Sequence, residues 1–176
     1  MARSDRFEQA VVHHRAGRPA EAAAVCREVL RKRPRHAGAL EMLARIAYEV
    51  GENDRAVELA RRALRLAGRH ASIQTLLGDV LQTQGRIAEA VAAYEEAVRL
   101  DPQCHPAWYS LGCAWLAQGE DAKALACFET AVGLAPEHAP TQHNLGKALH
   151  QLGLADEAMA RFREAVEDDL NMPQAL

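Results

Sequence analysis

Aromatic residues are scarce: they make up 5% of the 176-residue chain, so its core must be built mostly from Ala, Leu and Val. No apolar run approaches the roughly 20 residues needed to cross a bilayer, and membrane insertion is not expected. The segment Met1 to Gln9 is polar and charged. It carries no apolar stretch of the kind a secretory leader requires, so a cytoplasmic location is expected. The four cysteines, Cys26, Cys104, Cys113 and Cys127, contain no C-x-x-C pair, which removes the common redox and zinc signatures. Neither a Cys104–Cys113 nor a Cys113–Cys127 bridge is expected. G-x-x-x-x-G-K-[ST], G-x-S-x-G and H-E-x-x-H are all missing, which argues against a nucleotide cradle, a nucleophile elbow and a helical zinc pair. Paired carboxylates such as Glu95–Glu96 and Asp168–Asp169 read as exposed helix charges. The chain is read as a non-enzyme with no catalytic residue and no cofactor.

What the chain does have is globular usage, with 49% apolar and 26% charged residues. The net charge of -3 is unevenly spread. Residues 1–70 hold 15 Lys+Arg against 9 Asp+Glu, whereas residues 71–176 hold 6 against 15. Such asymmetry can steer an oppositely charged partner or draw two copies together. Arg31, Lys32, Arg33 and Arg35 form a basic run. Cations at a helix C-terminus complement its dipole, and the acidic total without interleaved aromatics weighs against nucleic acid.

A fixed period dominates the sequence. Gly17, Gly51, Gly85, Gly119 and Gly153 are 34 residues apart. So are Ala22, Ala56, Ala90, Ala124 and Ala158. Further columns read Ala10, Ala44, Gly78, Gly112, Gly146 and Val29, Ala63, Ala97, Ala131, Ala165, while Pro34, Pro102 and Pro136 share a register. Around each glycine of the first column lie two apolar-periodic stretches of helical spacing. In the fourth unit Trp108, Leu111, Trp115 and Leu116 mark one helix, and Ala124, Phe128, Ala131 and Val132 the next. The glycine supplies a turn of positive φ between them, and proline ends the second helix. Small residues in the remaining columns are expected where helices cross most closely. The glycine at 112 costs roughly 1 kcal/mol in helix propensity, which close packing there must offset.

At these columns the sequence resembles the tetratricopeptide repeat family. The fourth unit matches best, through Trp108, Leu111, Gly112, Gly119, Ala124, Phe128, Ala131 and Pro136. The third shows Leu77, Gly78, Tyr94, Ala97 and Pro102, and the fifth Leu145, Gly146, Phe162 and Ala165. The resemblance implies an all-α, right-handed superhelical solenoid of five helix-turn-helix repeats, at about 3–36, 37–70, 71–104, 105–138 and 139–172, forming a single domain over residues 1–176. It also implies that the first helix of each pair lines a concave groove, which in this family usually holds a partner protein or peptide.

The ends depart from the pattern. Arg6, Gln9, His13 and Cys26 replace larger apolar residues, and the polar ones suit an N-terminal cap. The last unit keeps Leu145, Leu149, Met159, Phe162 and Val166, as apolar as an internal repeat. Its face is expected to be covered by more chain, a second copy or a partner.

Helical phase points Glu41, Arg45 and Tyr48 into the groove, followed by Thr75, Asp79, Gln82 and Thr83. Tyr109, Ser110 and Cys113 follow in the fourth unit, and His143, Asn144, Lys147 and His150 in the fifth. This polar face with scattered aromatics suits an extended peptide. Two groove chemistries of the family do not fit. The chaperone-tail clamp needs Lys and Asn one turn apart, but the corresponding pairs are Phe7/Val11, Glu41/Arg45, Thr75/Asp79, Tyr109/Cys113 and His143/Lys147. The asparagine ladder needs Asn at Glu8, Met42, Leu76, Ser110 and Asn144, and only the last matches. Metal binding is not expected either. His36, His70 and His138 recur at repeat junctions, with His105 one residue off phase, and the period sets them about one repeat apart, too far to share an ion.

The leading expectation is a protein-binding adaptor that uses the groove. Two alternatives stand beside it. The run AVVHHRAGRPAEAAAVCREVL resembles the amino-terminal repeats of bacterial enzymes with a downstream transferase or oxygenase domain, which would make the chain a recruiting module. The charge asymmetry and apolar last helix suit a self-assembling scaffold.

Overall fold

The computed structural model describes residues 6–154 together with Asp156, Met159 and Arg163. Those residues form nine α-helices and no strand: α1 (Arg6–Arg15), α2 (Pro19–Lys32), α3 (Ala37–Glu49), α4 (Asn53–Ala67), α5 (Ala71–Thr83), α6 (Ile87–Leu100), α7 (His105–Ala117), α8 (Asp121–Leu134) and α9 (Ala139–Gln151). The expected array of helical hairpins at a 34-residue period is the one found.

The punctuation is that of the repeat. Each turn glycine of the first column adopts positive φ, from 69° at Gly17 to 81° at Gly51, a region that costs other residues roughly 1–2 kcal/mol. α2, α6 and α8 stop two residues before Pro34, Pro102 and Pro136. His36 is the N-cap of α3, and its Nδ1 accepts the Ala39 N–H at 3.1 Å. His70 and His138 occupy the same position before α5 and α9.

Two compact units divide the chain, residues 1–86 and 87–176. In the first, α1 packs on α2, α2 on α3, α3 on α4 and α4 on α5, with a lighter α3–α5 contact. Its core joins Ala10, Ala22, Cys26, Val29, Ala39 and Leu43, and Phe7 closes on it from α1. The side chains at 14 and 49 meet, as do those at 48 and 83. Those separations of about one repeat set α1, α3 and α5 side by side in parallel. In the second unit α6 packs on α7, α7 on α8 and α8 on α9, again with a lighter α7–α9 contact. Its core is built on Ala124, Phe128, Leu145, Ala148 and Leu149.

The small columns sit where the helices cross. Ala22, Ala56, Ala90 and Ala124 are fully buried, as are Ala63, Ala97 and Ala131; Ala158 and Ala165 lie outside the described residues. A Cβ added at Gly112 would come within 2.6 Å of the Phe128 ring, so the ring fills the space that a glycine leaves.

At the N-terminus Arg6 is exposed and pairs with Glu28 at 2.9 Å, whereas Cys26 is fully buried and fills the core column as a small hydrophobe. Of the apolar residues in the last unit, Leu145 and Leu149 are buried and Met159 is 53% exposed; Phe162 and Val166 lie outside the described residues.

Candidate functional site

The predicted groove residues fall into two sets, one in each unit. In the first unit they stand on α3 and α5. The Glu41 carboxylate lies 3.8 Å from Arg45 one turn on, and it accepts the Ser72 hydroxyl at 2.7 Å across the helix gap. Tyr48 Oη is 3.2 Å from Thr83 Oγ1. The Thr75 and Thr83 hydroxyls also bond back to the carbonyls of Ala71 and Asp79. Thr75, Asp79 and Gln82 are half-buried on the same helix. A shallow cleft between α1 and α3, lined by Phe7, Val11, Gly38, Glu41, Met42 and Arg45 among others, continues this face toward the N-terminus.

The second unit holds the tighter constellation. Tyr109 and Cys113 are one turn apart on α7. From α9, Asn144 Nδ2 donates to Tyr109 Oη at 3.3 Å and to Cys113 Sγ at 3.4 Å. Both bonds use the amide nitrogen, which leaves Oδ1 as an acceptor. Burial raises the Cys113 thiol pKa, although Tyr109, Asn144 and Lys147 act the other way. Tyr109 is raised as well, first by burial and then by Cys113. Both groups therefore stay protonated at neutral pH, when the thiolate and not the thiol would be the nucleophile. They serve as hydrogen-bonding surface. Ser110 is half-buried beside them, and His143 and Lys147 are exposed on α9.

Beside this cluster stand His105, His138 and Thr141, of which Thr141 escapes the sequence reading. Thr141 is fully buried, with its hydroxyl 2.6 Å from His138 Nδ1 and 3.1 Å from His105 Nε2. One hydroxyl has one proton to give. It can therefore donate to only one ring nitrogen, and the other must carry its own N–H. The two imidazole centroids are 4.5 Å apart in an edge-on arrangement, and Tyr109 lies 5.4 Å from His138. Burial, then the His138 charge, lowers the His105 pKa, against a smaller raising effect of Glu137.

This contact corrects the expectation that the junction histidines stand a repeat apart. His105 opens α7 and His138 caps α9, and both rings lean into the gap over Thr141. The off-phase position of His105 was the available signal. Among the described residues no group of three or more His, Cys, Asp or Glu is arranged to hold a metal ion. All four cysteines are free thiols. No described helix is long and apolar enough to cross a membrane.

A family model described as tetratricopeptide repeat matches residues 7–71, 41–103, 75–139 and 122–173. A crystal structure of MamA is similar with a TM-score of 0.83 at 23% identity, covering 94% of this chain and 97% of that one. MamA residues 41 to the end from Desulfovibrio magneticus RS-1 superpose with a TM-score of 0.84 at 22% identity, over 98% and 100% of the two chains. At these identities the likeness is one of fold. No curated protein matches the chain by sequence.

Proposed function

The chain belongs to the tetratricopeptide repeat family, and we propose that it is a non-catalytic adaptor holding a protein or peptide partner against the first helices of its repeats. The observation that carries this reading is the Tyr109–Cys113–Asn144 cluster. It is half-buried, uncharged and drawn from two helices to one place, and the Asn144 carbonyl oxygen, which those bonds leave unused, is of the kind that accepts a backbone N–H of an extended ligand. Arg45 and Lys147 would meet acidic groups, Asp79 a basic one, and Tyr48 and Tyr109 would give ring contact. Ser110 and His143 extend this surface within the second unit, and Thr75 and Gln82 extend the α3–α5 surface within the first.

The test compares Tyr109→Ala and Asn144→Ala with the parent chain in affinity capture from the native lysate. Loss of a shared set of partners in both variants, with unchanged thermal unfolding, is the expected result. Full retention by both variants, with loss in variants of the outer helices, refutes the groove reading.

A further inference from the structure

We infer that the hold of the second unit on its partner strengthens as the pH falls, because Lys147 and His150 of α9 together read an acidic segment of that partner. This rests on the reading of α7 and α9 as the binding surface, and adds the chemistry of the partner and a control on its binding. The observation that carries it is where carboxylates are missing. Residues 87–176 hold 14 Asp+Glu against 5 Lys+Arg, yet none of the 14 is on α7 or α9. Those between residues 87 and 154 stand on α6, on α8 and in the loops, with Glu95, Glu96 and Glu129 among them. In the first unit the corresponding helices do carry acids, Glu41 and Glu49 on α3 and Asp79 on α5. Across α7 and α9 the one full charge is the ammonium of Lys147.

Lys147 occupies the repeat position of Arg45, Asp79 and Cys113, and His150 that of Tyr48, Gln82 and Leu116, so the repeat demands a cation at neither. Both side chains are exposed. Lys147 is close enough to Cys113 to act on its thiol, which sets the ammonium beside the Tyr109–Cys113–Asn144 cluster. His150 follows one turn on. The helix dipole accounts for a cation in the last turn, at His150. It does not account for the ammonium further in, nor for two helices without a carboxylate. Two cations three residues apart oppose the free helix, and a partner carboxylate between them relieves that repulsion. Histidine is the side chain that changes charge between pH 5 and 8. Protonated His150 adds its attraction to that of Lys147. A partner that prefers the protonated form binds more tightly in acid and raises proton uptake in return.

The surroundings leave this pair as the reader. From α7, Tyr109 and Cys113 stand opposite and stay protonated. α8 meets α9 through Ala124 and Phe128. Of its charged residues, Asp121 lies in the first turn, Lys123 pairs with Glu120 at 3.3 Å and Glu129 is exposed. His105, His138 and Glu137 lie at the opposite end of α9, about 18 Å along its axis. Beyond the turn that follows α9, Asp156 and Arg163 are exposed. His143, one turn before Lys147, already has an interaction within the protein, and the argument does not need it. The acids of α6 and α8 lie across a helix layer whose axes are roughly 8–10 Å apart. That is about a Debye length at physiological salt, so their repulsion of an acidic segment is largely screened. Nucleic acid, which is held by many cations along its backbone, is not served by one ammonium and one imidazole.

The probes are peptides selected by random-peptide display on the full chain at pH 6.0, with binders of the Asn144→Ala variant removed. Each is titrated by fluorescence anisotropy at pH 7.5 and pH 6.0. Enrichment in Asp and Glu is expected, with binding to the parent chain about two- to fivefold tighter at pH 6.0, the worth of one exposed ion pair. His150→Gln should abolish that gain, and Lys147→Gln should weaken binding at both pH values. Both residues are exposed, so the variants should fold, and thermal unfolding at each pH checks this. Peptides that depend on Asn144 but lack an acidic bias overturn this inference and leave the groove reading standing. So do acidic peptides with no gain in acid, or with a gain that survives His150→Gln. If no peptide depends on Asn144, both readings fall.

Discussion

Two glycines inside helices show how one residue type answers opposite demands. Gly112 of α7 has no room for a methyl group, since a Cβ there meets three atoms of the Phe128 ring at 2.6–2.8 Å. Gly133, near the end of α8, has nothing within 4 Å and is exposed. At Gly112 overpacking costs about 1–3 kcal/mol, against roughly 1 kcal/mol recovered in helix propensity. Gly112→Ala should therefore destabilise the chain by up to about 2 kcal/mol, because the rigid ring cannot move aside cheaply. Gly133→Ala should stabilise it by up to about 1 kcal/mol. Urea unfolding of the two variants decides the matter, and equal and opposite roles reversed would show that the column is not a packing column. The small residue at 112 was visible in the sequence as a member of a 34-residue column, and its partner as the phenylalanine of the following helix. The emptiness around Gly133 was not visible, because an isolated exposed glycine leaves no periodic trace.

The helices and their ends were the most legible level. Turn glycines, terminal prolines and apolar spacing each recur five or fewer times at fixed intervals, and independent copies of one signal reinforce each other. Contacts between helix ends were less legible, because they depend on how far a side chain leans out of register. The His105–Thr141–His138 contact is the clearest case: two rings read as a repeat apart share one hydroxyl. It carries a pH dependence whose sign follows from burial. His105 has its pKa lowered in the folded chain, whereas in the unfolded chain it titrates near its ordinary value of about 6.5. The unfolded state then binds more protons between the two values. The contribution is fully present above about pH 6.5 and lost as pH falls through the folded pKa. Stability should decline between pH 7.5 and 5.5, and His105→Gln, which keeps a hydrogen-bonding group near Thr141, should flatten that decline. Thermal unfolding across this range reads the effect; identical slopes in parent and variant would remove the junction from the account.

At the level of the molecule, packing is organised by sequence distance. Within each unit the helices touch their neighbours in the chain and, more lightly, the helix two positions on. A structure of that kind has local stabilities that add repeat by repeat, and damage should stay near its origin. Phe128 is a fully buried ring of the second unit, meeting Gly112, Tyr109 and the α9 core. Phe128→Ala should cost about 3–5 kcal/mol locally. In hydrogen exchange at fixed pH and temperature, amides of α7, α8 and α9 should lose protection by a large factor. Those of α1, α2 and α3 should keep their parental rates. A uniform loss across all of these helices would mean that the repeats unfold as one cooperative body, and that the nearest-neighbour reading of the period is wrong. Confinement of the loss would also bear on binding. A partner held by α7 and α9 would then be expected to slow exchange in those helices and their neighbours, while exchange in α1, α2 and α3 keeps its parental rate.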